Sequence, residues 1–103
     1  MLLHCVFLNF RGDVPEAEKA EILTALGALK SEVDGFLDYA WGPNLDFEAK
    51  SPDHGMGFVC TFRDRAAHLA YERHPRHVEL GGRLVAGCVG GAEGIVVYDL
   101  DIG

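Results

Sequence analysis

Leu2-Leu3-His4-Cys5-Val6-Phe7-Leu8-Asn9-Phe10 decides the fold. One alternating set is His4, Val6, Leu8 and Phe10, and the other is Leu3, Cys5, Phe7 and Asn9. Both are mostly apolar, which predicts a strand covered on both faces. The next segment changes period. Asp13 is placed to cap a helix with Pro15 in its first turn and Glu16 three residues on, as in a capping box. Ile22, Leu26, Leu29 and Val33 then recur as one buried stripe, and Gly35 supplies the stop.

Phe36 to Trp41 reads as a second strand, with Leu37, Tyr39 and Trp41 on one side and Phe36, Asp38 and Ala40 on the other; Gly42-Pro43-Asn44 breaks it. A polar, turn-rich stretch to Gly55 has the length of a functional or mobile loop. Gly57 to Arg63 is a third two-sided strand, with Phe58, Cys60 and Phe62 set against Val59 and Thr61. Asp64 caps a helix carrying Ala67, Ala70, Tyr71 and His74 on one side, and Pro75 ends it and opens another to about Val85, with His77, Leu80 and Leu84 inward. After a turn region, Ile95 to Ile102 forms the last strand. The order predicts one α+β domain over residues 1–103, a ferredoxin-like split βαβ with helices on one face of a four-stranded antiparallel sheet. The other face would then be an apolar patch larger than monomers tolerate, which predicts a homodimer through the sheet face.

The chain has 103 residues, 49% hydrophobic and 24% charged, with a formal net charge of −7. That charge argues against nucleic acid and anionic membrane as partners. No apolar run reaches the length of a membrane span and the start lacks a charged signal-peptide region, so a cytoplasmic protein is expected. Cys5, Cys60 and Cys88 have no CxxC spacing and read as reduced and structural.

The candidate chemistry is in the histidines. Tyr71 and His74 share a helical face, and His77 follows the Pro75 kink and can turn back toward the same space. A phenol and an imidazole converging there suit proton abstraction next to a carbonyl; equally, Tyr71 fits the core while His74 and His77 cap helix ends. His4, on an apolar strand face, reads either as part of that pocket or as a core histidine bound to backbone, and His68 reads as a surface partner of Glu72. A metal site of His4, His74 and His77 with Glu79 or Asp53 lacks the spacing of a helical pair of ligands, so none is expected.

The chain resembles the stress-responsive A/B barrel (Dabb) domain family of the dimeric α+β barrel superfamily. The carriers are His4-Cys5-Val6-Phe7-Leu8-Asn9-Phe10, Tyr39-Ala40-Trp41-Gly42, Val59-Cys60-Thr61-Phe62, Val96-Val97-Tyr98-Asp99-Leu100 and above all Tyr71-Glu72-Arg73-His74-Pro75-Arg76-His77-Val78. The resemblance implies a homodimer whose two sheets form a barrel. Its plant polyketide cyclase type, as in olivetolic acid cyclase, closes a poly-β-keto thioester by aldol condensation without metal or organic cofactor. On that likeness His77 is the general base, Tyr71 polarises the carbonyl and His4 shapes the pocket, with His74, His54, Trp41 and Met56 lining it. The cyclase has histidine where Met56 stands here, and His54 lies two residues earlier. The ligand implied is a small aromatic or polyketide-like molecule. A non-catalytic stress or ligand-binding protein, and a cofactor-free monooxygenase leaning on Trp41 and Asn9, are the other readings.

Overall fold

The structure, a computed structural model, describes residues 1–103. Four strands, β1 (Leu2–Leu8), β2 (Phe36–Pro43), β3 (Met56–Phe62) and β4 (Ile95–Asp101), form one antiparallel sheet in the order β2-β3-β1-β4. Helices α1 (Glu16–Ala28), α2 (Arg65–Arg73) and α3 (Pro75–Gly87) supply the crossovers. This is the ferredoxin-like α+β arrangement that the sequence predicts.

The core lies between sheet and helices. Val6 and Leu8 of β1 and Phe58, Cys60 and Phe62 of β3 are buried there against Ile22, Leu23, Leu26, Leu80 and Leu84. The opposite sheet face carries Leu3, Cys5, Phe7, Val59, Val96, Tyr98 and Leu100; Tyr98 and Leu100 are exposed and the others half-buried. So the apolar residues on both sides of β1 and β3 are real, and only one side is covered by the chain's own helices.

Several boundaries differ from the reading of the sequence. β1 stops at Leu8; Phe10 makes only an isolated bridge to Cys88. Asp13 caps nothing: its carboxylate takes Arg11 Nε at 3.0 Å, and Pro15 begins α1 with no side-chain cap. β2 runs on through Gly42 to Pro43, because it is an edge strand where a missing N–H is tolerated. The stripe of α1 holds, although its last part is a 3-10 turn, Leu29–Ser31, and Gly35 ends it at a φ of 85°. Asp64 caps α2 as expected, accepting from Ala67 N at 3.0 Å, while Ala70 faces solvent rather than the core.

The alternation of β2 is broken by a bulge between Phe36 and Asp38. Phe36 pairs with Phe62 and Tyr39 with Cys60, so both aromatic rings reach the helix side, 6.2 Å apart, and the simple alternation expected from Phe36 to Trp41 fails. Tyr39 donates from its hydroxyl to Leu23 O at 2.6 Å. Its ring lies so close to α1 that a Cβ on Gly27 would fall 2.4 Å from Tyr39 Cδ2.

Candidate functional site

The sequence His74-Pro75-Arg76-His77 builds the centre of the site through local hydrogen bonding. Pro75 starts α3, so α2 must end before it. His74 becomes the cap of α3, its Nδ1 accepting from Arg76 N at 3.0 Å. The N–H that would have continued α2 onto the Glu72 carbonyl is thereby taken. That carbonyl instead receives His77 Nδ1 at 3.0 Å. A carbonyl can only accept, so Nδ1 carries the proton and Nε2 keeps the lone pair. Burial pulls the His77 pKa below its usual 6.5, with the Glu72 carbonyl opposing, so the ring is a neutral base at neutral pH.

The His77 ring lies 4.4 Å, centroid to centroid, from that of Tyr71. Tyr71 is fully buried and its Oη has no hydrogen-bond partner that satisfies it; the Cys60 thiol is its polar neighbour. Burial drives the Tyr71 pKa far up, so the phenol stays protonated and its O–H is available to an incoming acceptor. Burial likewise pushes the Cys60 thiol up to about 12, which leaves it an inert core group.

His4 sits on the inner side of β1, its ring 6.0 Å from Tyr71. Its partner is a side chain and not backbone: Nδ1 meets Asp99 Oδ1 at 2.6 Å, across a β1–β4 pairing that sets the two residues opposite one another. His68 is the largest departure from the sequence reading. It is 6% exposed rather than a surface residue, with its ring 4.8 Å from that of His4 and 5.5 Å from Phe62. The distance to Glu72 is 4.0 Å, while Arg65 donates to His68 Nδ1 at 2.6 Å. Burial, with His4 adding to it, lowers the His68 pKa.

Thus His4, Tyr71 and His77 come together as expected, and Asp99 and His68 join them. Both had a signal. Asp99 is a carboxylate in the inner set of a strand that also carries Ile95, Val97 and Asp101, and His68 is one helical turn before Tyr71. The other four pocket candidates disperse. His74 holds the helix junction, with Nε2 3.5 Å from Glu32. Met56 is half-buried against the core at the start of β3, paired with Leu8. His54 and Trp41 line a groove of about 1010 Å³ with Phe7, Val59 and Tyr98 of the open sheet face. Neither Tyr71 nor His77 lines that groove. Asn9 ties β1 to the chain that follows α3, its N–H donating to Gly94 O and its carbonyl accepting from Val89 N, both at 2.8 Å.

His4, His68 and Asp99 place potential metal-ligand atoms within 4.8 Å of one another. Each histidine already has one ring nitrogen engaged: Asp99 holds His4 Nδ1, and the Arg65 cation holds His68 Nδ1. The arrangement fits a hydrogen-bonded network better than a cation site. The trio of His4, His74 and His77 considered from the sequence is not gathered, since His74 Nδ1 caps α3.

The profile of the stress-responsive A/B barrel domain family matches residues 2–102. The chain belongs to that family. This A/B barrel domain is 27% identical to a stress-response A/B barrel domain-containing protein of Arabidopsis thaliana over 81% of the chain and 73% of the relative. Its structure superposes with a TM-score of 0.93 on a dimeric ferredoxin-like protein of unknown function from Jannaschia sp. CCS1, at 44% identity and covering 98% of both chains. It also superposes on a hydroxynitrile lyase from Passiflora edulis, with a TM-score of 0.82 at 20% identity, covering 99% of this chain and 93% of the other; that likeness is one of fold. No helix of the A/B barrel domain is long and apolar enough to cross a membrane.

The buried His68 and the half-buried His77 give this A/B barrel domain a defined acid response. For His68 and His77 the folded pKa lies below the ordinary 6.5, so the unfolded chain takes up protons first as pH falls. Their neutral forms therefore contribute full stability above about pH 6.5, and that contribution is lost as the pH drops through their lower folded values. Thermal melts are expected to show a lower Tm at pH 5 than at pH 7.5, with a smaller drop in His68→Gln. An identical drop in that variant would remove His68 from the explanation.

Proposed function

We propose that this chain acts as a homodimer and performs cofactor-free acid–base chemistry on a carbonyl-rich or aromatic metabolite, in a cyclase- or lyase-type reaction. His77 is the base, Tyr71 the donor to the substrate carbonyl, and His4 shapes the pocket with Asp99 fixing its ring. The observation that carries this reading is the pairing of a neutral imidazole, whose tautomer leaves Nε2 free, with a buried phenol whose O–H lacks a partner. Such a pair suits a carbon acid. His77 Nε2 takes a proton from a carbon next to a carbonyl, and the enolate oxygen accepts from Tyr71. The enolate carbon then bonds to a second carbonyl carbon, and the imidazolium returns its proton to the new alkoxide. Lyase activity is named for the Passiflora protein of the same fold, which fits this use of the scaffold.

The dimer is supported by the bare apolar face of the sheet and by the Jannaschia relative, which is described as dimeric. Three unpaired thiols fit a reducing, cytoplasmic setting. A second reading, non-catalytic binding of a small ligand, is favoured by the close packing of the rings around Tyr71, which lie 4.4–6.5 Å from it, while the groove of about 1010 Å³ lies elsewhere.

The two are separated by incubating the protein in D2O with short poly-β-keto thioesters and following C–H exchange and ring closure by NMR. Exchange above the buffer rate is expected. Raised Tm with the same compounds but no exchange and no product would replace catalysis with binding.

A further inference from the structure

The β2–β3 connection, residues 44–55, is not a slack loop. Asn44 Nδ2 donates to Ser51 O at 3.2 Å, Ser51 Oγ at 2.9 Å and His54 O at 2.8 Å, and Asn44 Oδ1 accepts from Asp46 N at 2.9 Å. Asp46 Oδ1 takes the backbone N–H of Lys50 and of Ser51, each at 2.9 Å, and Ser51 Oγ at 3.1 Å. Inside this brace Asp46 and Ala49 stand in left-handed backbone, at φ of 46° and 53°, the only residues other than glycine to do so. Strain of that kind persists where the surroundings over-determine the backbone.

The brace holds its apolar side chains out in water. Phe47 is 91% exposed and Leu45 67%, the two barest large apolar residues of the chain. Both also wall the groove whose floor is Phe7, Val59, Val96 and Tyr98 on the open sheet face. Whatever covers that face must therefore meet them. His54, whose Nε2 is buried with no hydrogen-bond partner, lines the same groove.

We propose that the 44–55 connection is a preformed hook for a second copy of this chain, with Phe47, flanked by Leu45, seated in the apolar surface of the partner when the two open sheet faces meet. This rests on the dimer reading and adds the residue that anchors it. A second copy fits because the floor is neutral and apolar and so matches itself across a two-fold axis. The hook carries Asp46, Glu48 and Asp53 against a single cation, Lys50, on a chain of net charge −7, which repels an anionic lipid surface. A bare phenylalanine held out on a braced backbone carries the large apolar area that dominates interface energetics once it is buried in a partner.

The test is sedimentation equilibrium of the full chain as wild type, Phe47→Ser, Phe47→Leu and Val78→Ser. Val78, on α3, is 62% exposed and serves as an exposed apolar control away from the open sheet face. Phe47→Ser is expected to raise the dimer dissociation constant by at least about tenfold per hook, hence on the order of a hundredfold per dimer. Phe47→Leu keeps most of the affinity, and Val78→Ser equals wild type. If the dimer is too tight to dilute, subunit exchange between two fluorescently labelled batches reads the same difference, faster in Phe47→Ser. A dimeric wild type with an unchanged Phe47→Ser overturns the hook alone. A wild type that sediments as a monomer at micromolar concentration overturns the dimer reading, and the hook with it.

Discussion

An alanine at position 77 is expected to slow proton abstraction from a reactive carbon acid by about 10²–10⁴-fold, the usual contribution of a positioned general base. Tyr71→Phe is expected to cost about 10²–10³-fold, as for loss of one donor to a developing oxyanion. The two variants should part company in stability. Tyr71→Phe keeps the packed ring and removes a buried hydroxyl that has no partner, so its Tm should equal or exceed wild type while its rate falls. A merely structural tyrosine would lose both together or neither. The wild-type rate should be flat near neutral pH and fall on the acid side, with a midpoint below the ordinary 6.5, because the proposed mechanism needs His77 neutral. Both rates remaining at wild type on a substrate that the protein turns over would remove the pair from the mechanism.

Phe62→Ala should be the most damaging single change to the fold. Phe62 has no exposed surface, and its ring lies 4.8 Å from Phe36, 5.1 Å from Tyr71, 5.5 Å from His68 and 6.1 Å from His4. Truncation leaves a cavity that these large rings cannot collapse into, at a cost of about 3–5 kcal/mol. Against a total stability of roughly 5–15 kcal/mol for a domain, that is a large share. Urea unfolding followed by circular dichroism measures it through the midpoint at constant slope. A loss below about 1 kcal/mol would mean that this aromatic cluster repacks freely.

The sequence makes the scaffold legible because period is a local property. The two-sided sets of β1 and β3 and the stripe on α1 survive intact in the structure, and so does the bare second sheet face they imply. What escapes it depends on partners distant along the chain or on counting. Leu37 is the extra residue of a bulge, and nothing in Phe36-Leu37-Asp38-Tyr39 announces that Phe36 and Tyr39 end on the same side. Asp13 has the right neighbours for a cap, yet Arg11 takes its carboxylate. His68 carries two patterns at once, four residues before Glu72 and three before Tyr71, and the packing of α2 on the sheet selects the second. Asp99 becomes meaningful only when strand register sets it opposite His4. Tyr71, His77 and His4 are legible as a group, whereas His54 and Trp41 line the groove instead, Trp41 at the edge strand where the register sets it opposite Phe58.

The hydrogen bonds that set the proton on His77 span only residues 71 to 77 and use one proline, one histidine cap and one freed carbonyl. Such a cassette carries its own chemistry with it. Side chains around the ring can change size without disturbing those bonds, because none of the bonds reaches outside the segment. The ionic form of this imidazole is thus written into seven consecutive residues and not into the fold around them.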